Sequence, residues 1–163
     1  MNRFKVMVLF GLIAMSSYGQ KLDQGSFDSL KGEKKIKVEF DYTNAVIKNM
    51  SYADYVAQEK NWDTGSVEIL RKFITEFNAA TKGKIVATTE DTKYKLVLKV
   101  SEVEKRGDTE AVGNVVDAEG NVIATIKDCE GEGGKWGTHI NLMGDAAQNM
   151  GAALGKLFKS KIK

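Results

Sequence analysis

The sequence predicts an α+β domain, in which an antiparallel or mixed sheet of four to five strands carries two main helices on one face. Three observations predict this class. Several short segments alternate apolar and polar residues, which is the period of a strand with one wet face. Two longer segments repeat apolar residues every three or four positions, as an amphipathic helix does. Short turns join neighbouring strand segments, so we expect antiparallel pairs covered by both helices on the same side.

Residues 1–19 predict a secretory signal peptide. Arg3 and Lys5 precede an almost unbroken apolar run over residues 6–15, and small and polar residues follow. The run is shorter than the ~20 residues that a membrane-spanning helix needs. We predict cleavage between Gly19 and Gln20, with cleavage after Gln20 as the alternative. Because no cysteine lies at this junction to carry a lipid, we expect a periplasmic or secreted protein without a membrane span in the mature chain.

Charge and cysteine content exclude several classes of protein. The formal net charge is +2, and removal of Arg3 and Lys5 with the signal would bring it to about zero (2 − 2). A neutral chain has no bulk attraction to nucleic acid or anionic membranes, so we expect no nucleic-acid partner. The single cysteine, Cys129, excludes an internal disulfide framework. The mature chain of roughly 140 residues must then be held by packing, and it is long enough for one core.

The N-terminal part of the mature chain contains a lead-in, a strand and a short helix. Residues 20–34 are polar and dotted with glycine, so they predict a flexible lead-in, and the single domain then spans residues 35–163. A strand follows, whose alternating apolar residues are Ile36, Val38, Phe40 and Tyr42. Ser51 is placed to cap a short helix after this strand.

Two main helices flank the remaining strands. The apolar stripe of the first helix consists of Ile69, Leu70, Phe73, Ile74 and Phe77, and Gly83 is placed to end it. Strands are predicted over residues 84–89 and 93–105, and residues 110–128 form a hairpin with its turn at 118–121. The last helix carries a stripe of Leu142, Ala146, Met150, Leu154, Phe158 and Ile162.

Glycines at positions 144, 151 and 155 leave one flank of the last helix thin. Such a flank lets a helix pack closely inside its own domain. The alternative is that two copies of the chain meet there, as a homodimer through the C-terminal helix.

The stretch "DCEGEGGKWGTH", residues 128–139, collects the only cysteine, the only histidine and one of two tryptophans. A cysteine nucleophile needs an adjacent base, and nothing in the sequence brings His139 to Cys129. Cys129 continues a strand and is predicted to be a small buried hydrophobe.

Metal and phosphate sites also lack the residues that they need. Zinc needs three or four cysteine, histidine or carboxylate ligands, and Cys129 and His139 do not reach that count. A phosphate-binding loop would need Ser or Thr where Trp136 follows Lys135. We interpret the acidic, glycine-containing stretches as turns rather than calcium loops. The sequence therefore predicts no catalytic, cofactor or metal-ligating residue.

Four aromatic residues form the candidate binding surface. Tyr52, Tyr55 and Trp62 lie between the first strand and the first main helix, and Trp136 lies in the glycine-rich loop. Aromatic side chains at such positions often line a groove or a protein contact. The alternative is ordinary core packing, which the spacing of Tyr52, Tyr55 and Trp62 also fits and which we favour for these three residues.

Five segments together carry a resemblance. The export signal, "KIKVEFDYTNAVI", "YKLVLKVSEVEK", "GNVVDAEGNVIATI" and "GDAAQNMGAALGKLFK" resemble small exported proteins of Bacteroidetes-type bacteria. Their order is similar to the α/β domains of envelope proteins such as the TolB N-terminal domain and the curli-secretion lipoprotein core. The chain departs from these families by lacking the lipobox cysteine. The resemblance implies assembly or binding with an envelope or secreted protein partner, and no catalytic residues.

We therefore expect a non-enzymatic exported binding or envelope-assembly module. Two alternatives remain open, namely a small-molecule carrier with an apolar pocket between sheet and helices and a carboxylate-based hydrolase.

Overall fold

The computed structural model describes residues 19–162, so the predicted signal peptide lies outside the described residues except for Gly19. One mixed sheet of eight strands and three α-helices make up the described chain, which confirms the α+β class. Within residues 19–162, no helix combines the length and the hydropathy that crossing a bilayer requires.

The described elements are more numerous than the sequence predicts. The strands are β1 Lys21–Gly25, β2 Lys35–Asp41, β3 Val46–Ile47, β4 Met50–Ser51, β5 Val86–Thr88, β6 Lys95–Val103, β7 Thr109–Val116 and β8 Val122–Gly131. The helices are α1 Tyr52–Gln58, α2 Trp62–Thr81 and α3 His139–Lys161. The prediction of four to five strands is therefore wrong. The strands that it missed are short or polar, and they have no alternation of their own to reveal them.

Six of the eight strands follow the order β1-β8-β7-β6-β2-β5, and the two short strands lie off this path, with β3 paired to β6 and β4 paired to β3. The four strands from β1 to β6 in this order pair antiparallel, whereas β2 runs parallel to both β5 and β6. Parallel neighbours cannot be joined by a tight turn and need a crossover connection. The helices α1 and α2 lie in that crossover, and this is why the helical segments interrupt the strand series.

One face of the sheet carries the core and the other face is open. On β6, Leu96, Leu98 and Val100 are buried, and the residues between them are half-buried or exposed. The helices α2 and α3 add buried phenylalanines to this face, among them Phe73 and Phe158. On the opposite face, charged side chains pair with one another across strands: Lys95 lies 3.2 Å and Lys37 lies 3.0 Å from the carboxylate of Glu39.

The glycine flank of α3 packs against α2. A Cβ atom built on Gly155 would lie 2.6 Å from the carbonyl oxygen of Phe77, and one on Gly151 would overlap the carbonyl oxygen of Phe73. The two helix backbones are therefore in direct contact. The alternative interpretation of this flank as a homodimer contact would therefore need a surface that α2 covers within a single chain.

Residues 20–34 are built into the domain, which corrects the prediction of a flexible lead-in. Their strand β1 pairs antiparallel with β8. After β1, Phe27 is 2% exposed and Leu30 is fully buried, and the ring of Phe27 lies 4.4 Å from that of Phe158 between centroids. Phe27 and Leu30 are two apolar residues in a mainly polar segment, and two residues do not form a hydrophobic periodicity. The sequence pattern therefore did not predict this packing.

Candidate functional site

Three of the four predicted surface aromatics lie in or against the core. The Ser51 hydroxyl accepts a hydrogen bond from the Asp54 backbone N–H at 3.1 Å and caps α1, which carries Tyr52 and Tyr55. Tyr55 is 2% and Trp62 is 6% exposed, whereas Tyr52 is half-buried. Trp62 Nε1–H donates to the Tyr52 hydroxyl at 3.2 Å. The rings of Tyr52, Tyr55 and Trp62 pack against one another, as the favoured packing interpretation expects, so these three residues do not form the open binding surface that was the other possibility.

Trp136 is the predicted surface residue that the structure leaves in solvent, with 88% of its surface exposed. It lies in the connection between β8 and α3, residues 132–138, which we call the Trp136 loop. The Gly133 N–H donates to Asp108 Oδ1 at 2.8 Å, and the Asn149 amide donates to the Glu132 carbonyl at 2.8 Å. A Cβ at Gly133 would overlap the carbonyl oxygen of Arg106, so the start of the loop fits only glycine. The loop is thus fixed at its base and presents its tryptophan outward.

An open acidic cleft of about 830 Å³ lies beside the start of the Trp136 loop, where the turn between β6 and β7 and the adjoining ends of β7 and β8 meet α3 and the two residues before β1. The charged residues that line this acidic cleft are Glu104, Arg106, Asp108, Glu110, Glu130 and Glu132. Strand register explains part of the cluster, since Glu110 lies directly opposite Glu130 in the pair of β7 and β8. Like charges placed directly opposite one another are unfavourable. With five carboxylates and one guanidinium in its lining, the cleft has a negative electrostatic potential, which favours cationic groups on a ligand or protein partner.

His139 joins three elements beneath the Trp136 loop. It is the first residue of α3, its Nδ1 lies 2.8 Å from the Tyr55 hydroxyl, and its Nε2 lies 2.9 Å from the Glu104 carbonyl oxygen. A carbonyl oxygen only accepts, so Nε2 carries the hydrogen, and Nδ1 of the neutral ring accepts the tyrosine hydroxyl hydrogen. Burial lowers the pKa of His139 and raises the pKa of Tyr55 to about 12, so both groups are neutral at pH 7.

Cys129 lies in the core, as the strand pattern predicts. Its side chain is fully buried and its thiol approaches the carbonyl oxygen of Ile126 at 3.5 Å. Burial raises the pKa of the Cys129 thiol to about 12, which makes the nucleophilic thiolate rare at neutral pH. The hydrogen-bond partners of Cys129 and His139 are different residues, so the thiol and the imidazole do not form a pair. Within residues 19–162, no three histidine, cysteine or carboxylate side chains are arranged to hold a metal ion.

Sequence reasoning found Trp136 but missed the acidic cleft and the histidine junction. Tyr55 and His139 are 84 positions apart, and no spacing rule connects them. The acidic cleft depends on the register of β6, β7 and β8, which side-chain alternation alone does not fix at the bulges of these strands.

Comparison with known proteins gives only distant structural similarity. No family model and no curated protein matches the chain. A leucine-to-methionine variant of PelC, a dodecamer from Paraburkholderia phytofirmans, is 12% identical with a TM-score of 0.42, covering 85% of this chain and 93% of that one. A second PelC dodecamer structure from the same organism is 9% identical with a TM-score of 0.42, covering 82% of this chain and 96% of that one. Similarity of this size does not assign the chain to a family.

Proposed function

We propose that the chain is an exported, non-enzymatic binding protein of the bacterial cell envelope, which contacts a protein partner through the Trp136 loop. The observation that carries this proposal is the 88% exposure of Trp136 on a loop whose base is fixed. Burying a large apolar side chain stabilises a protein by roughly 1.5–3 kcal/mol, and this tryptophan contributes none of that to its own fold. Tryptophan is also among the residues that most often dominate the energy of a protein interface.

The surroundings of Trp136 indicate what a partner should carry. The acidic cleft beside the loop brings five carboxylates together with one guanidinium, that of Arg106. A partner with an apolar pocket for the indole and basic residues next to it would complement both features. Charges at the rim of an interface mainly steer association, whereas the buried aromatic residue contributes more of the affinity. The exported location rests on the residue pattern of the predicted signal peptide, and it makes an envelope or secreted protein the expected partner.

The experiment compares three immobilised forms of the mature chain beginning at Gln20, each incubated with extract of the native cell envelope. The forms are the natural sequence, Trp136→Ala and Val67→Ala. Val67 is a matched control because it is also an exposed large apolar residue, 67% exposed, but it lies on α2. We expect the natural chain and Val67→Ala to retain the same protein and Trp136→Ala to lose it. With the purified partner, loss of a hot-spot residue should weaken binding by roughly 30-fold or more.

Two outcomes would contradict the proposal. Equal retention of the partner by Trp136→Ala would show that the loop is not the contact. Retention of no specific protein, together with a small molecule that purifies with the chain, would favour the carrier instead. The charged lining of the acidic cleft gives no support to a carrier of apolar ligands.

A carboxylate-based hydrolase is the second candidate, and one observation favours it. Glu110 and Glu130 are directly opposite in the β7–β8 pair and line the same cleft. Directly opposed side chains have Cβ atoms about 4.5–5.5 Å apart, from which the flexible glutamate side chains can reach the carboxyl separation of about 5–5.5 Å that retaining glycosidases use. Hydrolysis of glycosides by the natural chain, lost in both Glu110→Gln and Glu130→Gln, would replace the binding proposal with this one. Activity that survives in both variants would exclude this pair.

A further inference from the structure

The helices α2 and α3 run parallel, so their C-terminal ends lie together at one end of the molecule. Gly65 near the start of α2 packs against Ile140 near the start of α3, and Gly155 near the end of α3 packs against Phe77 near the end of α2. The Trp136 loop leads directly into the start of α3. A helix rises about 1.5 Å per residue, so the 23 residues of α3 place its far end roughly 35 Å from this loop.

A group of lysines, which we call the lysine patch, surrounds the C-terminal ends of the two helices. Its members come from the segment before β2, the end of α2 and the last turn of α3, and they are Lys31, Lys34, Lys82, Lys84, Lys159 and Lys161. Lys84 Nζ donates to the carbonyl oxygens of Lys159 at 2.9 Å and of Ile162 at 3.0 Å, which joins the first helix end to the second. Lys31 and Lys161 line one small cavity, and the Lys34 carbonyl accepts the N–H of Val86, two residues after Lys84. Lys159 is half-buried and the other members are exposed.

The lysine patch carries more positive charge than its surroundings neutralise. No acidic residue occurs in residues 77–89 or 146–161, which form the two helix ends. Asp28 shares the small cavity with Lys31 and Lys161, and each helix C-terminus adds only about half a negative charge. Among residues 19–162, no carboxylate lies within ion-pair distance of a lysine of the patch. Several positive charges therefore remain at this surface.

The positive and negative charges of the chain are separated along α3. Asn149, in the first half of the helix, binds the Glu132 carbonyl at the acidic cleft, whereas Lys159 and Lys161 lie in its last turn. Ten helical residues span about 15 Å, which exceeds the screening length of about 8 Å at physiological ionic strength. The near-zero net charge predicted for the mature chain therefore conceals a basic end that can act by itself.

We propose that the lysine patch binds the anionic phosphate groups of a phospholipid bilayer, so that the chain lies on a membrane surface with the Trp136 loop facing away from it. This inference rests on the envelope location in the proposed function and adds a second surface to it. Clusters of about four to eight basic residues are typical of proteins that recognise anionic lipids. The cavity within the patch measures only about 210 Å³, so the lysines offer a broad charged surface to many headgroups rather than a pocket for one ligand. Binding of this kind is reversible and is weakened by salt.

The test measures partition of the mature chain beginning at Gln20 onto vesicles, by flotation. One set of vesicles is phosphatidylcholine alone, and the other contains about 30% phosphatidylglycerol, which supplies the anionic phosphates. We expect binding to the second set only, and its loss as sodium chloride rises from about 25 to 300 mM. Each lysine near an anionic surface changes the partition coefficient about fivefold, so Lys82→Gln combined with Lys161→Gln should lower it roughly 25-fold. Lys60→Gln combined with Lys105→Gln is the matched control, because both lysines are exposed, lie outside the patch and remove the same charge.

The exposed tryptophan reports the orientation of the bound chain. Iodide should quench Trp136 fluorescence as strongly with anionic vesicles as without them, because the loop faces away from the bilayer. Protection of Trp136 by the vesicles would overturn the proposal, since the loop would then be the membrane contact. The comparison of the two vesicle compositions uses the natural chain, so it decides the matter even if a lysine variant does not fold.

Three further results would overturn the proposal. The first is equal binding to both sets of vesicles, and the second is an equal loss of binding in the two double variants. The third is a mass that rises with protein concentration in sedimentation while the anionic vesicles bind nothing, which would make the acidic cleft of a second copy the partner of the lysine patch. The proposed contact through Trp136 would fail in the comparison of Trp136→Ala with Val67→Ala, which uses no vesicles, so the two failures are distinguishable.

Discussion

Gly155 of α3 lies against the backbone of Phe77 in α2, so closely that a Cβ at Gly155 would stand 2.6 Å from the Phe77 carbonyl oxygen. Real Cβ atoms do not approach a backbone oxygen to this distance, so the helices can keep their spacing only while the position is glycine. The apolar stripes of both helices reach the sheet because their backbones sit at this short distance.

Replacing Gly155 with alanine should therefore destabilise the protein. Overpacking costs about 1–3 kcal/mol, which should outweigh the ~1 kcal/mol that alanine gains over glycine in a helix. Gly144→Ala is the matched control on the same helix, because its nearest neighbour is Cδ of the flexible Lys72 side chain, which can move. Urea unfolding should show a loss for Gly155→Ala and little change or a gain for Gly144→Ala. Equal effects would mean that the helices are free to separate.

Asn78 of α2 closes the outer edge of the sheet at β5. Its side chain accepts from the Ala87 N–H at 2.7 Å and donates to the Ala87 carbonyl at 3.1 Å, as a neighbouring strand would. Asn78→Ala should lower the free energy of unfolding by about 1–3 kcal/mol, because it leaves two backbone groups without partners. It should also increase self-association, since an open strand edge pairs with other chains. Unfolding and light scattering measure the two effects, with the exposed Asn44→Ala as control, and a monomer of unchanged stability would contradict the prediction.

Stability should fall as the pH drops below about 6.5, because of His139. Burial lowers the pKa of the folded ring below its ordinary value of 6.5, so the unfolded chain binds the proton first. The stabilising contribution of the neutral ring is complete above pH 6.5. It decreases as the pH falls from 6.5 to the lowered pKa of the folded ring, and below that pKa it has been lost. Urea unfolding at pH 7.5, 6.0 and 5.0 should show this loss in the natural chain relative to His139→Gln, in which carboxylate titrations are the same. The prediction would be wrong if the free energy of unfolding changed with pH in the same way in the natural chain and in His139→Gln.

Cys129 should be unreactive in the folded protein. The thiol is fully buried, so a reagent in solution cannot reach it. Burial also raises the pKa of the thiol to about 12, so little of it is the reactive thiolate at pH 8. A thiol reagent such as dithiobis(nitrobenzoate) should modify less than a tenth of the native protein in the time that the chain in guanidinium chloride reacts completely. Fast modification of the native protein, with its fold intact, would require a conformation other than the one described.

Phe27 should behave as a core residue. Its ring lies against Phe158 and is 2% exposed, so Phe27→Ala should cost about 3–5 kcal/mol. Ser29→Ala, an exposed change two positions away, should cost less than ~0.5 kcal/mol. Urea unfolding compares the two variants. A negligible effect of Phe27→Ala would restore the interpretation of residues 20–34 as a lead-in outside the domain.

Periodicity predicted the long elements and failed for the short ones. The stripes of α2 and α3 and the alternation of β2 and β6 appear in the sequence because each element buries several residues of its own. The three-residue β5 buries only Ala87, and β1 has no fully buried side chain. These strands are specified by their partners β2 and β8 and by Asn78, and such long-range pairings leave no local pattern.

The candidate site was predictable only in part, for a related reason. An aromatic residue between elements has the same spacing whether it packs inward, as Tyr55 and Trp62 do, or outward, as Trp136 does. The glycine-rich surroundings of Trp136 were the one local signal. The junction of Tyr55, His139 and Glu104 joins residues from three elements, and it exists only once the sheet and both main helices are assembled.

The pairing of β1 with β8 bears on the order in which the chain can mature during synthesis. Lys21 is opposite Lys127, so the first strand to leave the ribosome finds its neighbour only after more than 100 further residues have been made. Contacts between such distant parts of a chain form slowly. The nascent polypeptide therefore has a long interval in which the sheet lacks one of its edge strands.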